Sequence, residues 1–385
     1  MERLFLVGIL TKYDEPWEKS DSLNELASLG WTAGGEVVEK ILQRRDRIDP
    51  RFFIGKGKAE ELARIAQELN IGTFVFDEEL TGTQIRNIED ITGRKVIDRT
   101  ELILDIFADH ARTAAAKVEV ELTQLKYRLT RLTGKGIAMS RLGGGIGTKG
   151  PGEMKLEIDR RRIRERIKTL EKKLTSIETS KRIQSARRKE LFRVAIVGYT
   201  NVGKSTVMNQ LTYSDLLVEN KLFSTLDATT RIMPLSTLYT HSEVIHRTSN
   251  THNKDKSHFL QRKPSILITD TVGFLRKLPH GLITSFKSTL QEAIEADLRL
   301  HIVDISHPHC ELQLSVGNQI LDQLGTIKRP MIYVFNKIDL NPDLVTLFQR
   351  KYPDAVFISA LKKEDSELLK QRILQFFINR KDTLS

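Results

Sequence analysis

The sequence predicts an α/β protein: a small N-terminal α/β domain with a long antiparallel helical hairpin, followed by a second α/β domain whose mostly parallel sheet carries a phosphate-binding loop. Three observations predict it. Apolar runs of strand and helix type alternate from Arg3 to Asp98 and again beyond Arg193, the pattern of βαβ units. Between these regions, two apolar seams at helical spacing flank a glycine-rich stretch. The strand-like run from Val194 then breaks into Gly198-Tyr199-Thr200-Asn201-Val202-Gly203-Lys204-Ser205-Thr206, which contains the pattern G-x-x-x-x-G-K-S. Domains are expected over residues 1–108 (α/β), 109–190 (hairpin) and 191–385 (phosphate-loop domain).

Composition bounds the problem. A chain of 385 residues with 39% apolar content exceeds one ordinary core and suggests two or three domains. A single cysteine, Cys310, excludes an internal disulfide framework and fits a reducing compartment. The start from Met1 to Leu10 is too short and too early-charged for a signal peptide, and no apolar run approaches the roughly 20 residues of a membrane span. A cytoplasmic protein is expected. The net charge of +11 is concentrated: Lys117 to Arg193 holds 22 basic and 9 acidic residues, leaving the rest of the chain close to neutral. A basic segment beside near-neutral domains points to a polyanion, which in the cytosol usually means nucleic acid.

In the first region strands are expected at Leu4–Leu10, Val37–Leu42, Thr73–Phe76 and Lys95–Ile97, and helices at Ser22–Leu29, Ala59–Leu69 and Thr83–Ile91. Ile54-Gly-Lys-Gly-Lys58 resembles a phosphate loop superficially but lacks G-x-G-x-x-G spacing, so it reads as a glycine turn opening the next helix. From Asp98 to Arg131 the pattern becomes long helix, with Val118, Leu122, Leu125, Leu129 and Leu132 on one seam. Leu156, Ile163, Ile167, Leu170, Leu174 and Ile177 form the second. The two seams can cover each other only as a hairpin.

The joining loop, residues 134–152, far exceeds the roughly 2 to 8 residues that reverse a helix pair. A loop so rich in glycine orders on a partner that approaches its backbone closely. Arg141 and Lys149 within it, with Arg160, Arg161, Arg162, Arg164 and Arg166 beyond, suit a phosphate backbone. Aromatic residues are nearly absent there, which favours a folded RNA surface over stacked single-stranded bases.

The second half carries its motifs in the order of a guanine-nucleotide switch. In the phosphate loop, backbone N–H groups from Gly198 to Thr206 face phosphate oxygens, Lys204 serves the outer phosphates and Ser205 places its hydroxyl on Mg2+. Ile266-Leu-Ile-Thr-Asp270-Thr271-Val272-Gly273 is a buried strand ending in D-x-x-G, with Asp270 placed to hold Mg2+ through water and the Gly273 N–H to sense the γ-phosphate. Leu300 to Asp304 is a further strand. Met331-Ile-Tyr-Val-Phe-Asn336-Lys337-Ile338-Asp339 ends in N-K-x-D, whose Asp339 carboxylate can accept N1–H and N2–H of guanine. Ser359-Ala360-Leu361 closes the base site by backbone contact. Thr225, Thr229 and Thr230 are the candidates for a Mg2+-binding threonine, and spacing alone does not choose among them.

Phe274 follows Gly273, where many GTPases place a glutamine that orients the attacking water; an apolar side chain cannot do so by hydrogen bonding, so slow unaided hydrolysis is expected. Residues 239–263 read as a polar insertion between two strands. Its histidines, His241, His246, His252 and His258, lack the spacing of zinc-ligand pairs.

Three stretches are more restrictive than these motifs: Phe52-Phe-Ile-Gly-Lys-Gly-Lys-Ala-Glu-Glu-Leu62, Gly147-Thr-Lys-Gly-Pro-Gly-Glu153 with Lys155-Leu-Glu-Ile-Asp-Arg-Arg-Arg162, and Asp270-Thr-Val-Gly-Phe-Leu-Arg-Lys-Leu-Pro-His280. With them the chain resembles the HflX family of translational GTPases over nearly its whole length. The resemblance implies a TRAFAC-type GTPase domain, an N-terminal part that binds the large ribosomal subunit (50S) and its rRNA, and a glycine loop reaching toward the peptidyl transferase centre. It further implies a monomer of low intrinsic GTP hydrolysis, stimulated by the ribosome, that splits or rescues ribosomes under stress. The alternative is a GTP-gated assembly factor acting on immature large subunits. Phe223-Ser224-Thr225-Leu226-Asp227 resembles the family's F-A-T-L-D, which selects Thr225 with Ser205 as Mg2+ ligands and Lys204, Thr225, Asp270 and Gly273 as the catalytic set. Ser224 departs from that pattern, and Ala228 stands where proline commonly follows.

Overall fold

A computed structural model describes residues 1–132, 151–186, 191–212, 228–234, 265–277, 291–326 and 329–382. The chain divides into two compact units, Met1–Glu178 with Leu278–Ser285, and Thr179–Lys277 with Phe286–Ser385. Three expected features lie outside the described residues: the hairpin loop up to Gly150, with Arg141 and Lys149; the stretch Phe223 to Asp227, with Thr225; and the insertion 239–263.

In the first unit, β1 (Glu2–Leu10), β2 (Gly35–Arg44), β3 (Thr73–Phe76) and β4 (Lys95–Asp98) form a fully parallel sheet of order β2-β1-β3-β4. Helices α1 (Pro16–Thr32), α2 (Lys56–Glu68) and α3 (Gly82–Thr92) connect them, so each of the seven expected elements is present. Alternate residues Phe5, Val7 and Ile9 of β1 pack with Phe74 and Phe76 of β3, Leu62 of α2 and Ile88 of α3. Ile54-Gly-Lys-Gly-Lys58 is the helix-opening turn its spacing suggests: Gly55, at φ +87°, caps α2. Thr81 and Gln84 start α3 with a reciprocal capping box.

The expected long helix from Asp98 to Arg131 is instead two, α4 (Arg99–His110) and α5 (Ala114–Arg131). The break has a local cause. Asp98 and Thr113 are both N-caps, accepting from Glu101 N and Ala116 N respectively, and the extended backbone at Ala111 ends the first helix before the second cap. Helix α6 (Pro151–Ala186) begins inside the expected loop, with proline at its first position.

The two seams meet as expected. Val118 and Leu122 of α5 are buried with Ile167 and Leu170 of α6, flanked by Leu125, Leu129, Ile163, Leu174 and Ile177. Glu121 pairs with Arg166 at 2.7 Å and Lys126 with Glu171 at 2.9 Å. Glu121 and Arg166 each precede a seam residue, and Lys126 and Glu171 each follow one, so both ion pairs flank the seam. The stem of α5 is tied to the sheet by Asp98, which accepts from Leu80 N, Glu101 N and Tyr127 Oη and pairs with Arg131.

In the second unit, β5 (Phe192–Gly198), β6 (Thr229–Pro234), β7 (Ser265–Asp270), β8 (Leu298–Asp304), β9 (Met331–Asn336) and β10 (Val356–Phe357) form a sheet of order β10-β9-β8-β5-β7-β6. It is parallel except for β6, which runs antiparallel to β7. The helices are α7 (Lys204–Thr212), α8 (Gln291–Glu295), α9 (Cys310–Gln323), α10 (Asp343–Lys351) and α11 (Lys363–Asp382). Strands β5 and β8 are almost wholly buried, as their unbroken apolar character requires. Beside β5 the order reverses, so the carboxyl ends of β5, β7, β8 and β9 share the edge where ligands of open α/β sheets bind. No helix among the described residues is long and apolar enough to cross a membrane.

Candidate nucleotide site

The phosphate-loop pattern forms the turn its glycines allow. Asn201 and Gly203 have φ of +61° and +93°, and a Cβ on Gly203 would collide with the side-chain amide of Asn336. Only glycine meets both constraints there. Lys204 and Ser205 open α7, so the first free backbone N–H groups of that helix point toward the loop. Lys204 is buried and its Nζ donates to Tyr199 O at 2.7 Å. Burial pulls its pKa down to about 8, against the opposing attraction of Asp270. Such a desolvated ammonium is held ready for an anion that would stabilise its charge.

At the end of β7, the fully buried Asp270 accepts from Ser205 Oγ at 2.7 Å. A hydroxyl and a carboxylate set side by side, both oxygen donors, suit a hard divalent cation. Thr271 is turned inward, donating from Oγ1 to Ile196 O at 2.7 Å. Gly273 lies against the loop so closely that a Cβ would stand 2.7 Å from Thr200 Cγ2 and 2.8 Å from Lys204 Nζ.

Phe274 is placed differently from what its sequence position suggests. Its backbone joins the phosphate loop, with Phe274 N donating to Gly198 O and Thr200 N donating to Phe274 O, both at 2.9 Å. Its ring is buried edge-on against His301, with centroids 6.3 Å apart. Burial lowers the His301 pKa to about 4, so that imidazole stays neutral. Arg276 N donates to Tyr199 Oη at 2.8 Å, extending the join. Sequence reasoning identified Phe274 as unable to align water; the fold adds that its side chain is turned into the core.

The N-K-x-D turn is wired to the same loop. Asn336 Nδ2 donates to Val202 O at 2.8 Å and Asn336 Oδ1 accepts from Ala360 N at 2.9 Å. Lys337, at φ +63°, donates to Asn201 O at 3.0 Å. Ser359 N is held by Asp365 Oδ2 at 2.7 Å, which fixes the Ser359-Ala360-Leu361 turn. The side chain of Leu361 is exposed, in keeping with a backbone role, and Asp339 is exposed at the turn. Thr229 and Thr230 lie in β6, where the Thr230 hydroxyl engages that of Thr269 at 2.9 Å.

Among the described residues, the phosphate-loop, D-x-x-G and N-K-x-D motifs thus converge on one strand-end edge. Two contributors escaped the sequence reading. Asp365 belongs to no motif and reveals itself only as a helix-start acid, and Asp304 ends a strand that was read only as a strand.

Comparison with known proteins agrees. Family models described as GTP-binding GTPase N-terminal, GTP-binding GTPase Middle Region and 50S ribosome-binding GTPase match residues 20–108, 110–188 and 193–337. The GTPase HflX of Caldanaerobacter subterraneus subsp. tengcongensis is 47% identical over 88% of this chain and 73% of its own length. Those of Flavobacterium psychrophilum and Escherichia coli are 41% and 35% identical over 97% and 93% of this chain, and 90% and 79% of theirs. Among solved structures, the GDP complex of SsGBP matches with a TM-score of 0.52 at 25% identity, covering 98% of both chains. With relatives this similar along most of its length, the chain belongs to the HflX family of GTPases, whose activity is GTP hydrolysis.

Proposed function

We propose that this chain is a GTP-driven ribosome factor: GTP orders its nucleotide site, the GTP-bound form docks on the large ribosomal subunit and its rRNA through the basic hairpin, and docking splits or rescues ribosomes under stress. The carrying observation is the helix α6. Its apolar face is covered by α5, while Arg161, Arg162, Arg164, Lys168, Lys172 and Lys173 are exposed. A basic row on a covered helix, ending in a long glycine loop, fits a folded polyanion.

Each nucleotide contact follows from position. Lys204 neutralises the outer phosphates, and the Gly273 N–H reports the γ-phosphate from its tight seat beside Thr200. Ser205 and Thr225 would ligate Mg2+ directly and Asp270 through water; when bound, the cation screens the charge of the β and γ oxygens. Asp339 accepts the N1–H and N2–H of guanine, which adenine cannot offer as a pair. With Phe274 turned into the core, no side chain at that position aligns water, and hydrolysis is slow until the ribosome completes the site. The protein acts as a cytoplasmic monomer.

Sedimentation of intact ribosomes with the protein and a non-hydrolysable GTP analogue tests this. Separation into subunits is expected. Binding confined to free large subunits or their precursors would replace the proposal with the assembly-factor reading. Deleting Gly143 to Gly152 should spare GTP binding and remove the ribosomal effect.

A further inference from the structure

Asp304, at the carboxyl end of β8, belongs to none of the sequence motifs, yet it meets the lysine that ties the base-recognition turn to the phosphate loop. Its Oδ2 lies 2.6 Å from Lys337 Nζ, and the same ammonium donates to Asn201 O at 3.0 Å. The other oxygen is already fixed: Oδ1 accepts from Ser306 N at 3.0 Å and Ser306 Oγ at 2.6 Å. A carboxylate held from behind in this way gives Lys337 one direction in which to reach.

That direction matters because of where the lysine starts. Lys337 sits at φ +63° between Asn336, bonded to Val202 and Ala360, and the turn carrying Asp339. Its aliphatic stem therefore runs from the turn that carries Asp339 to the phosphate loop. The Lys337 side chain is 28% exposed; with only the Asn201 carbonyl to hold it, so long a chain would sample many rotamers.

We infer that Asp304 is a positioning residue for guanine-nucleotide recognition: by fixing the Lys337 ammonium it sets the lysine stem as one wall of the base pocket. The inference rests on the proposed reading of the base site. Asp304→Asn keeps the volume and the bonds from Ser306 while removing the charge. It should raise KM for GTP, and the Kd of GDP, roughly tenfold at unchanged kcat, the size of a lost charge-assisted hydrogen bond. Lys337→Met retains the stem but lacks the ammonium, so adding Asp304→Asn to it should change nothing further.

Ser306→Ala, which removes the Oγ bond and leaves the Ser306 N–H on Oδ1, should raise KM less than Asp304→Asn does. An Asp304→Asn variant with unaltered KM, penalties that add in the double variant, or a Ser306→Ala variant as weak as Asp304→Asn would overturn the inference. Asp339→Asn separates it from the reading beneath. Its amide can donate to the C2 oxygen of xanthine, so preference should pass from GTP to xanthosine triphosphate. If that exchange fails, the base-site reading falls and takes this inference with it; if it succeeds while Asp304→Asn is silent, only this inference falls.

Discussion

Asp98 and Asp270 are both fully buried aspartates at the carboxyl ends of parallel strands, one in each unit, and their surroundings assign them opposite work. Asp98 is met by two backbone amides, the Tyr127 phenol and the Arg131 guanidinium, which is itself paired with Glu101 at 2.9 Å. Asp270 is met by the Ser205 hydroxyl, with the buried Lys204 near enough to feel its charge. Fixed donors make a carboxylate into scaffold. A hydroxyl that can turn and an ammonium held by one carbonyl suit the proposed reading, in which Ser205 and Asp270 would take a cation and Lys204 the phosphates. Burial and strand-end position do not separate the two; the mobility and charge of the neighbouring donors do.

The largest effect should come from the scaffold member. Asp98→Ala takes the acceptor from the Leu80 and Glu101 amides and the Tyr127 phenol and leaves Arg131 with Glu101 alone; each buried donor left unpaired costs about 1–3 kcal/mol, so the loss is several kcal/mol. Hydrogen exchange on the full chain should then show α4 and α5 opening faster, with the Kd for GDP unchanged. Weakened GDP binding with protected α4 and α5 would reverse the assignment.

How much of this was legible in the sequence differs between the regions for a physical reason. Phosphate and base recognition demand particular residue types at fixed spacing, so Gly203, Lys204, Asp270 and Asn336 stand out without a structure. The α/β core was legible through periodicity, which survives in a single chain because strands and helices must each bury one face. Long-range polar contacts obey no spacing rule. Asp98 meets Tyr127 and Arg131, 29 and 33 residues away, and Asp304 meets Lys337 in the same unannounced manner. Phe274 lay between these cases: its type was informative, but its burial against His301 depended on where β8 passes. The break at Thr113 was missed because two apolar stretches share one period across a cap.

The site member should declare itself through pH. Lys204 has a pKa near 8 without nucleotide, below its ordinary 10.5 because it is buried. Bound phosphates would raise it, so binding takes up a proton above pH 8. The sign follows: GTP affinity should be flat from about pH 7 to 8 and then fall by up to about tenfold per pH unit. Calorimetry in buffers of different ionisation enthalpy would detect the proton. Lys204→Arg, charged throughout, should bind more weakly but lose the slope. A slope that survives in Lys204→Arg would mean another group supplies it.

The smallest effect probes how redundant the closed shell is. Tyr127 Oη lies 2.7 and 2.6 Å from the two oxygens of Asp98, and burial, then the carboxylate, push the phenol pKa up, so it remains a donor across the working range. Tyr127→Phe removes an oxygen that donates to Asp98 and also accepts from Arg131, a guanidinium that keeps Asp98 and Glu101. The ring remains, with the Arg131 guanidinium 4.0 Å from its centroid, and Asp98 keeps Arg131 and both amides. The loss should be about 1 kcal/mol, the net worth of one hydrogen bond, with no dependence on pH between about 6 and 9. Denaturant unfolding of the full chain measures it. A loss equal to that of Asp98→Ala would show the shell acting as a single unit that one donor can collapse, whereas a small loss leaves Asp98 a scaffold held several times over, which is what divides it from Asp270.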